Sequence, residues 1–298
     1  MKQMITFIAM CLVMSSTYSA DCEQAQNLML KGVDSGKQDH WKQAQQWLRK
    51  SVDLCNRFEN WYLLGQAEKE LKDYNAALQA FEDAKNYAAN ADERALAMAR
   101  YAQVLALQND IGRPLTLLHQ ARKLHSSPPA WITQLAIELD TKRINSSITV
   151  SELTRALDNR SIQLFVPEAK PQYDLAIRFK TNSVELLAES KSAITAIATA
   201  LNDEVLTGKQ FTLTGHADKR GAEQHNCELS VARAEAIVVK LLEIQPELIG
   251  RLTVAGKGEY EPLYDGEGND IFKFNRRVEV MVDAPQPKVC TDLAISTQ

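Results

Sequence analysis

The front half of the chain carries large apolar and small residues at helical spacing, in a pattern that recurs after 33 positions. Large and small residues alternate where paired helices need bulk or close approach. The matching positions are Leu28 and Trp61, Gly32 and Gly65, Trp41 and Tyr74, Ala44 and Ala77, Leu48 and Phe81, and Ser51 and Ala84. The pattern predicts two consecutive helix pairs.

A third, weaker copy follows after a short insertion, and its members are Met98, Tyr101, Ala102, Ile111, Leu118 and Ala121. Pro114 occupies its small-residue position, which indicates a helix that begins late, with proline in the first turn. A further helix is expected over 130–141, where it would cap the stack. We therefore predict an all-α domain over residues 21–143.

The second copy, Trp61-x-x-Leu64-Gly65 with Ala77, Phe81 and Ala84, resembles a tetratricopeptide repeat (TPR). Such repeats stack into a concave groove that binds a protein segment. The alternative is a rigid spacer with no ligand of its own, because a fold does not specify a partner.

Residues 144–171 are predicted to form an ordered connector. The spacing of Thr149 and Glu152 is that of a capping box, so a short helix is expected over 151–157. An extended segment is expected over 160–166, and Pro167 and Pro171 stiffen the approach to the next domain.

The back half alternates between strand and helix patterns. Period-two alternation predicts strands over 175–179, 211–214, 252–254 and 278–282, and helical spacing predicts helices over 186–201 and 228–243. This order, β-α-β-α-β-β, predicts an α+β domain over 172–284, with helices on one face of a mixed sheet. Residues 285–298 are left as a C-terminal tail.

Residues 1–20 have the features of a signal peptide: Lys2, an apolar core over 5–14 and a small-residue exit at Ala20. Ser19, Ala20 and Asp21 do not form a lipobox before Cys22. We therefore expect a soluble exported protein without a transmembrane span. A net charge of −4 and the lack of a basic run argue against nucleic acid as a partner.

Four cysteines follow the signal peptide, in a compartment expected to be oxidising. Cys22 and Cys55 lie at the open ends of a predicted antiparallel helix pair, so we predict that they form a disulfide. Cys227 and Cys290 are then left for each other, although two free or buried thiols are equally compatible with the sequence.

One constellation carries most of the chemistry, and it centres on a glycine-containing turn before the second predicted helix of the back half. Its pieces are Gly215-His216-Ala217-Asp218, Arg220-Gly221, Asn226, Leu229-Ser230, Arg233-Ala234, Gly256-x-Gly258-Glu259 with Pro262, and Asn275-Arg276-Arg277-Val278-Glu279. In this order and spacing the region resembles the OmpA-like peptidoglycan-binding domain, in the form found in peptidoglycan-associated lipoproteins. His225 stands where that family usually has tyrosine, which would alter one aromatic wall of the pocket.

The resemblance implies that Asp218 and Arg233 bind the free end of diaminopimelate, a zwitterion in the peptidoglycan stem peptide. Asp218 would pair with the ammonium group, and Arg233 would hold the carboxylate through two parallel hydrogen bonds. The amino end of the following helix would add N–H donors. The alternative is that Asp218 and Arg233 form only a structural salt bridge.

The other motif positions are expected to support the site rather than contact the ligand. Asn226 and Ser230 would bond to backbone groups and cap the helix, Arg277 would brace the turn or a carboxylate, and Arg276 would face the other way along a strand. Gly215 and Gly221 would supply backbone freedom. The supporting set is Gly215, His216, Gly221, Asn226, Leu229, Ser230, Asn275 and Arg277.

No catalytic, cofactor or metal site is predicted. The spacing of His216, Asp218, His225 and Cys227 matches no zinc pattern. There is no acid pair or nucleophile–base pair with the spacing that a wall-modifying enzyme such as an amidase would need. The expected function is therefore non-covalent peptidoglycan binding in the periplasm, near the outer membrane, with the helical domain docking another envelope protein. The alternatives are a structural subunit of a secretion or motor complex, and a peptidoglycan-modifying enzyme.

Overall fold

The computed structural model describes residues 20–158, 161–167, 169–175, 177, 179–180, 182–188, 190–266, 268–283 and 290. The predicted signal peptide, apart from Ala20, and the tail, apart from Cys290, lie outside this range. The chain forms two compact units. One contains residues up to Leu107 together with Ala121–Pro128, and the other contains Gln108–Gln120 and residues from Pro129 onward.

The first unit is built from helices that follow the predicted repeat. They are α1 (Ala20–Lys37), α2 (Trp41–Leu54), α3 (Phe58–Glu70), α4 (Tyr74–Asn86), α5 (Ala91–Leu107) and the last residues of α6 (Gly112–Leu124). A Cβ atom added at Gly32 would lie 2.6 Å from Leu48, and one added at Gly65 would lie 2.7 Å from Phe81. The same close approach thus recurs at the 33-residue spacing. The region agrees with helical repeats, and the tetratricopeptide assignment stays a prediction.

The ends of the first helix pair are joined covalently. Cys22 of α1 and Cys55, directly after α2, form a disulfide with their Cα atoms 5.0 Å apart. This is the predicted pairing. It follows from the antiparallel geometry, because the start of the first helix and the end of the second lie side by side.

The second unit begins with helical segments that the sequence pattern assigns to the helical domain over 21–143 or to the connector over 144–171. They are most of α6, then α7 (Ala130–Asn145), α8 (Val150–Leu157) and α9 (Ser161–Phe165). The predicted boundary at residue 143 is therefore not where the compact units divide. The expected extended segment over 160–166 is wrong, because Ser161–Phe165 is helical.

Helix α8 is a packed element rather than part of a connector. Leu153, Ala156 and Leu157 are almost completely buried in the same hydrophobic cluster as the sheet of this unit. Only one of the two hydrogen bonds of the predicted capping box is present. The Thr149 hydroxyl accepts a hydrogen bond from the N–H of Glu152 (3.2 Å), but the Glu152 carboxylate accepts one from Tyr173 (2.8 Å) instead of returning to the cap.

The sheet of the second unit contains β1 (Gln172–Leu175), β2 (Phe211–Gly215), β3 (Leu252–Gly256) and β4 (Val278–Val282), in the order β1-β4-β2-β3. Strands β2 and β3 are parallel, and the β1–β4 and β4–β2 pairs are antiparallel. Its helices are α10 (Ser190–Leu201), α11 (Glu223–Ile244) and α12 (Asn269–Asn275). The predicted mixed sheet in an α+β fold is confirmed.

Three details differ from the sequence prediction. The first strand ends at Leu175, and Phe179 forms only an isolated bridge with Leu186, so α10 begins at Ser190 rather than 186. Helix α11 begins five residues earlier than expected. Helix α12 was not predicted, and its presence removes Asn275 and Arg276 from the last strand.

None of the described helices combines the length and apolar character that a bilayer-spanning segment needs.

Candidate functional site

The predicted site lies where β2 ends and the chain turns into α11. Two backbone hydrogen bonds hold the start of this turn: the N–H of His216 donates to the carbonyl of Arg277 (2.9 Å), and that of Ala217 donates to Gly258 (2.7 Å). Gly221 has φ +103°, a conformation that L side chains rarely adopt, so this glycine supplies the expected backbone freedom.

Asn226 braces the turn from the first part of α11. Its Nδ2 group lies 3.1 Å from the carbonyl oxygens of Asp218 and Arg220 and 2.6 Å from a carboxylate oxygen of Glu259. The expected bonds to backbone groups are therefore present. The expected helix cap is not, because the residue at the N-cap is Ala222 and α11 has no side-chain cap.

Ser230 and two glycines bring α11 directly onto the sheet. The Ser230 hydroxyl donates to the carbonyl of Cys227 (2.7 Å) and accepts from the N–H of Gly258 (3.1 Å). A Cβ atom at Gly215 would overlap the carbonyl oxygen of Ser230. Gly215 is thus required for the close approach of α11 to β2. The expectation from the sequence, that this glycine supplies backbone freedom, is wrong. Leu229 is half-buried on the same helix.

Replacing Gly215 with alanine is expected to lower the free energy of unfolding by about 1–3 kcal/mol, because backbone atoms must move apart. It should also weaken the binding of any ligand held between Asp218 and Arg233, since α11 carries Arg233 and β2 leads to Asp218. Gly208→Ala is the control. Gly208 has φ +75° and no neighbour within 4 Å, so its substitution strains only its own backbone. Urea denaturation and ligand titration would check this; unchanged binding in Gly215→Ala would contradict it.

Asp218 is buried and held by two guanidinium groups. Arg220 donates from Nε and Nη2 to the two carboxylate oxygens (2.8 Å each), and Arg276 donates from Nη1 to Oδ2 (2.7 Å). Burial alone would raise the pKa of Asp218, but the hydrogen bonds from Arg220 and Arg276 outweigh it and lower the pKa. The carboxylate is therefore ionised at neutral pH.

The position of Arg276 corrects the sequence prediction. Alternation along a strand would turn Arg276 away from the site, but β4 begins only at Val278 and Arg276 follows the last turn of α12. The short helix was the missed signal, since Ile271, Phe272 and Phe274 are too few to establish a helical period. The sequence motif assigns no role to Arg220, whose guanidinium lies 4.5 Å from the centre of the Phe272 ring.

Arg233 projects from α11 and is 5% exposed. Its Nε donates to the carbonyl of Ser183 (3.2 Å), and its guanidinium lies 5.1 Å from the centre of the Phe179 ring. Burial lowers the pKa of Arg233, and the nearby Arg276 lowers it further. Within the described chain no carboxylate forms an ion pair with Arg233. Asp218 and Arg233 are therefore not partners in a structural salt bridge.

The remaining predicted residues are buried and bond to other parts of the domain around the site. His216 is buried beside Glu279 (Nε2 to Oε1, 3.2 Å), and burial and Arg277 lower its pKa, which favours the neutral ring. Arg277 pairs with Asp174 (3.3 Å). The Asn275 side chain accepts from the N–H groups of Leu263 and Tyr264 (2.8 and 3.1 Å) and donates to the carbonyl of Tyr264 (3.0 Å).

The two other residues considered as metal ligands have different surroundings. His225 is exposed, with its Nε2 2.7 Å from the side-chain oxygen of Asn182. Cys227 forms a disulfide with Cys290, with the Cα atoms 5.5 Å apart, which is one of the two alternatives that the sequence leaves open. Its sulfur is therefore committed to a covalent bond and not available as a thiolate.

Comparisons with known proteins identify the family of the domain that carries the site. Residues 178–276 match the model of the OmpA family, so the chain carries an OmpA family domain. The chain is 30% identical over 102 residues to the peptidoglycan-associated lipoprotein of Pseudomonas aeruginosa, covering 34% of this chain and 58% of that protein. It is 25% identical over 149 residues to the uncharacterized protein YtxE of Bacillus subtilis, covering 47% of this chain and 57% of that protein.

Among solved structures, the cell wall anchor of the T6SS from Pseudomonas aeruginosa aligns with a TM-score of 0.33 at 28% identity, over 38% of this chain and 80% of that one. This chain spans little more than half the length of the curated relatives that it matches.

Proposed function

We propose that this protein binds peptidoglycan without cleaving it, by recognising the zwitterionic end of diaminopimelate. The observation that carries the proposal is Arg233: a guanidinium on α11 that is 5% exposed and forms no ion pair within the described chain. A buried cation is costly unless an anion pairs with it, so the site favours a ligand that brings a carboxylate.

The ammonium group of the same ligand would be received at Asp218. This carboxylate is ionised, and one of its two arginine partners, Arg220, has a side chain that is 54% exposed. Because the Arg220 side chain lies largely in solvent, it is the partner that can swing out and be replaced at Asp218 by a ligand ammonium. Asp218 and Arg233 together then match both charges of the zwitterion.

The cellular setting belongs to the same proposal. Two disulfides are typical of an oxidising compartment such as the periplasm. The first unit would dock another envelope protein through the groove of its helical repeats and so tether that partner to the wall, near the outer membrane. The name of the Pseudomonas aeruginosa relative supports wall association.

Co-sedimentation with purified sacculi tests the binding proposal. We expect residues 21–298 to be retained on walls that contain diaminopimelate, and free diaminopimelate to compete. Walls with lysine at the same peptide position are the matched control, because lysine offers the ammonium group without the carboxylate that Arg233 needs. Equal retention on both walls, or retention on neither, would refute the proposal.

A further inference from the structure

A short turn after β1 contacts the Arg233 guanidinium. Phe179 and Leu186 form an isolated antiparallel bridge, so the chain reverses direction between them. We call the described residues from Phe179 to Leu186 the Arg233 turn. The carbonyl of Ser183 in this turn accepts from Nε of Arg233 (3.2 Å), and the centre of the Phe179 ring lies 5.1 Å from the guanidinium. The position of the turn therefore constrains the direction of the guanidinium.

The Arg233 turn contacts α11 at a second point. Oδ1 of Asn182 lies 2.7 Å from Nε2 of His225. An amide oxygen can only accept a hydrogen bond, so Nε2 is the donor. His225 and Arg233 are eight positions apart on α11, with Leu229 midway, so all three project from nearly the same side of the helix. Because Ser183 directly follows Asn182, the bond to His225 restrains the carbonyl that holds Arg233.

The backbone of Asn182 does not by itself account for this bond. Its φ is +50°, in the left-handed region that asparagine tolerates better than most residues. That conformation explains an asparagine in the turn, but glycine would adopt it as readily. The side chain, in contrast, bonds to a residue 43 positions away. The amide group therefore has a role that the conformation of the turn leaves unexplained.

We propose that His225 is a positioning residue of the peptidoglycan site: by holding Asn182, it fixes the turn that directs Arg233 toward the ligand carboxylate. The inference rests on the proposed function, because the carboxylate is the one assigned there to Arg233. Both His225 and Asn182 are exposed, so their hydrogen bond adds little to the stability of the fold. A loosened turn, however, leaves the guanidinium to be ordered when the ligand binds, which weakens affinity.

Calorimetric titration of residues 21–298 with the peptide L-Ala-γ-D-Glu-diaminopimelate tests this role. His225→Phe keeps a ring and removes both nitrogens, and it should bind about fivefold more weakly, the size expected for one hydrogen bond. Asn182→Gly keeps the backbone conformation and removes the amide, so it should show the same loss. The double variant should bind no more weakly than either single variant, because both changes break the same bond.

Two further variants separate positioning from a general effect on α11. His225→Gln keeps an N–H donor of similar reach and should restore affinity to within about twofold of the wild type. Gln224→Ala is the matched control, because Gln224 is the neighbouring residue and donates to Glu228 (3.0 Å) in an equally exposed pair that does not involve the turn. It should bind as the wild type does. Urea denaturation should give similar unfolding free energies for all of these variants.

Unchanged affinity in His225→Phe, additive losses in the double variant, or a His225→Gln variant as weak as His225→Phe would each overturn the inference. In any of these cases the proposed function stands if the wild type binds the peptide and Arg233→Ala does not. A wild type that binds neither the peptide nor sacculi would overturn both.

Discussion

Replacing Arg233 with lysine is expected to weaken peptide binding about 100-fold, although the positive charge is kept. Lysine cannot form two parallel hydrogen bonds to a carboxylate. It also cannot donate to Ser183 from the position of Nε while stacking on Phe179, so the cation would lose its fixed position. Loss of one partner of a buried, hydrogen-bonded charge pair costs about 2–5 kcal/mol, and 1.4 kcal/mol corresponds to a tenfold change in affinity.

The second unit offers a close control for this substitution. Arg251 also donates to backbone carbonyls, those of Lys209, Leu201 and Leu206, and its guanidinium lies 5.2 Å from the centre of the Phe211 ring. Arg251→Lys should therefore lower the free energy of unfolding while leaving the dissociation constant unchanged. Calorimetric titration with the stem peptide measures both variants. A dissociation constant for Arg233→Lys within about threefold of the wild type would argue against a carboxylate clamp.

The core of this site could be predicted because its signals are local. Alternation of Phe211 and Leu213 with threonines predicts β2, and the glycine-containing turn and the long apolar period after it predict the helix that carries Arg233. Two strands and a crossover helix then fix the position of Asp218 against Arg233 without any long-range information.

The parts that failed depend on contacts between residues far apart in sequence. Helix α8 is eight residues long, and only its burial against the sheet distinguishes it from a connector. The bond from Tyr264 to Asp140 joins residues 124 positions apart. Arg276 faces Asp218 because a seven-residue helix precedes it, and the pattern of so short a helix is too weak to read.

Helix α7 belongs to the second unit because of a buried polar network. Asp140 is 0% exposed, and it accepts hydrogen bonds from Arg143 (Nη2 to Oδ1, 2.9 Å) and from the Tyr264 hydroxyl (2.6 Å). Nε2 of His119, on α6, lies 3.3 Å from Oδ2 of Asp140, the oxygen that also accepts from Tyr264. Arg143 also donates to the carbonyl of Asp174. Two residues on α7, Asp140 and Arg143, thus link α6, β1 and the loop before α12.

The same cluster has the residue types of a metal site, because ligand atoms of His119, Asp140 and Asp174 lie within 4.8 Å of one another. Arg143 already supplies a positive charge between Asp140 and the backbone of β1. A divalent cation there would be repelled by this guanidinium and would have to displace its hydrogen bonds. The geometry therefore favours a structural network over metal binding.

The second large expected effect is on the free energy of unfolding, because this polar network is buried. Asp140→Ala should lower the free energy of unfolding by about 3–5 kcal/mol, because it leaves the Arg143 guanidinium, which is 3% exposed, without its carboxylate. Glu138→Ala is the control on the same helix. Glu138 forms a pair with Lys142 in which both side chains are more than half exposed, so its loss should change stability by less than about 0.5 kcal/mol.

The pH dependence of this effect follows from the ionisation of Asp140. Burial raises its pKa, but His119 and Arg143 outweigh burial, so the folded-state pKa is below the ordinary value of 3.8. A carboxyl group with a depressed pKa stabilises the fold above its unfolded-state pKa, and that contribution is lost as the pH falls through the folded-state pKa. The difference in unfolding free energy between wild type and Asp140→Asn should therefore shrink as the pH falls below about 4. Urea denaturation at pH values on either side of about 4 measures it, and a difference that does not shrink below about pH 4 would show that the pKa of Asp140 is not lowered by its neighbours.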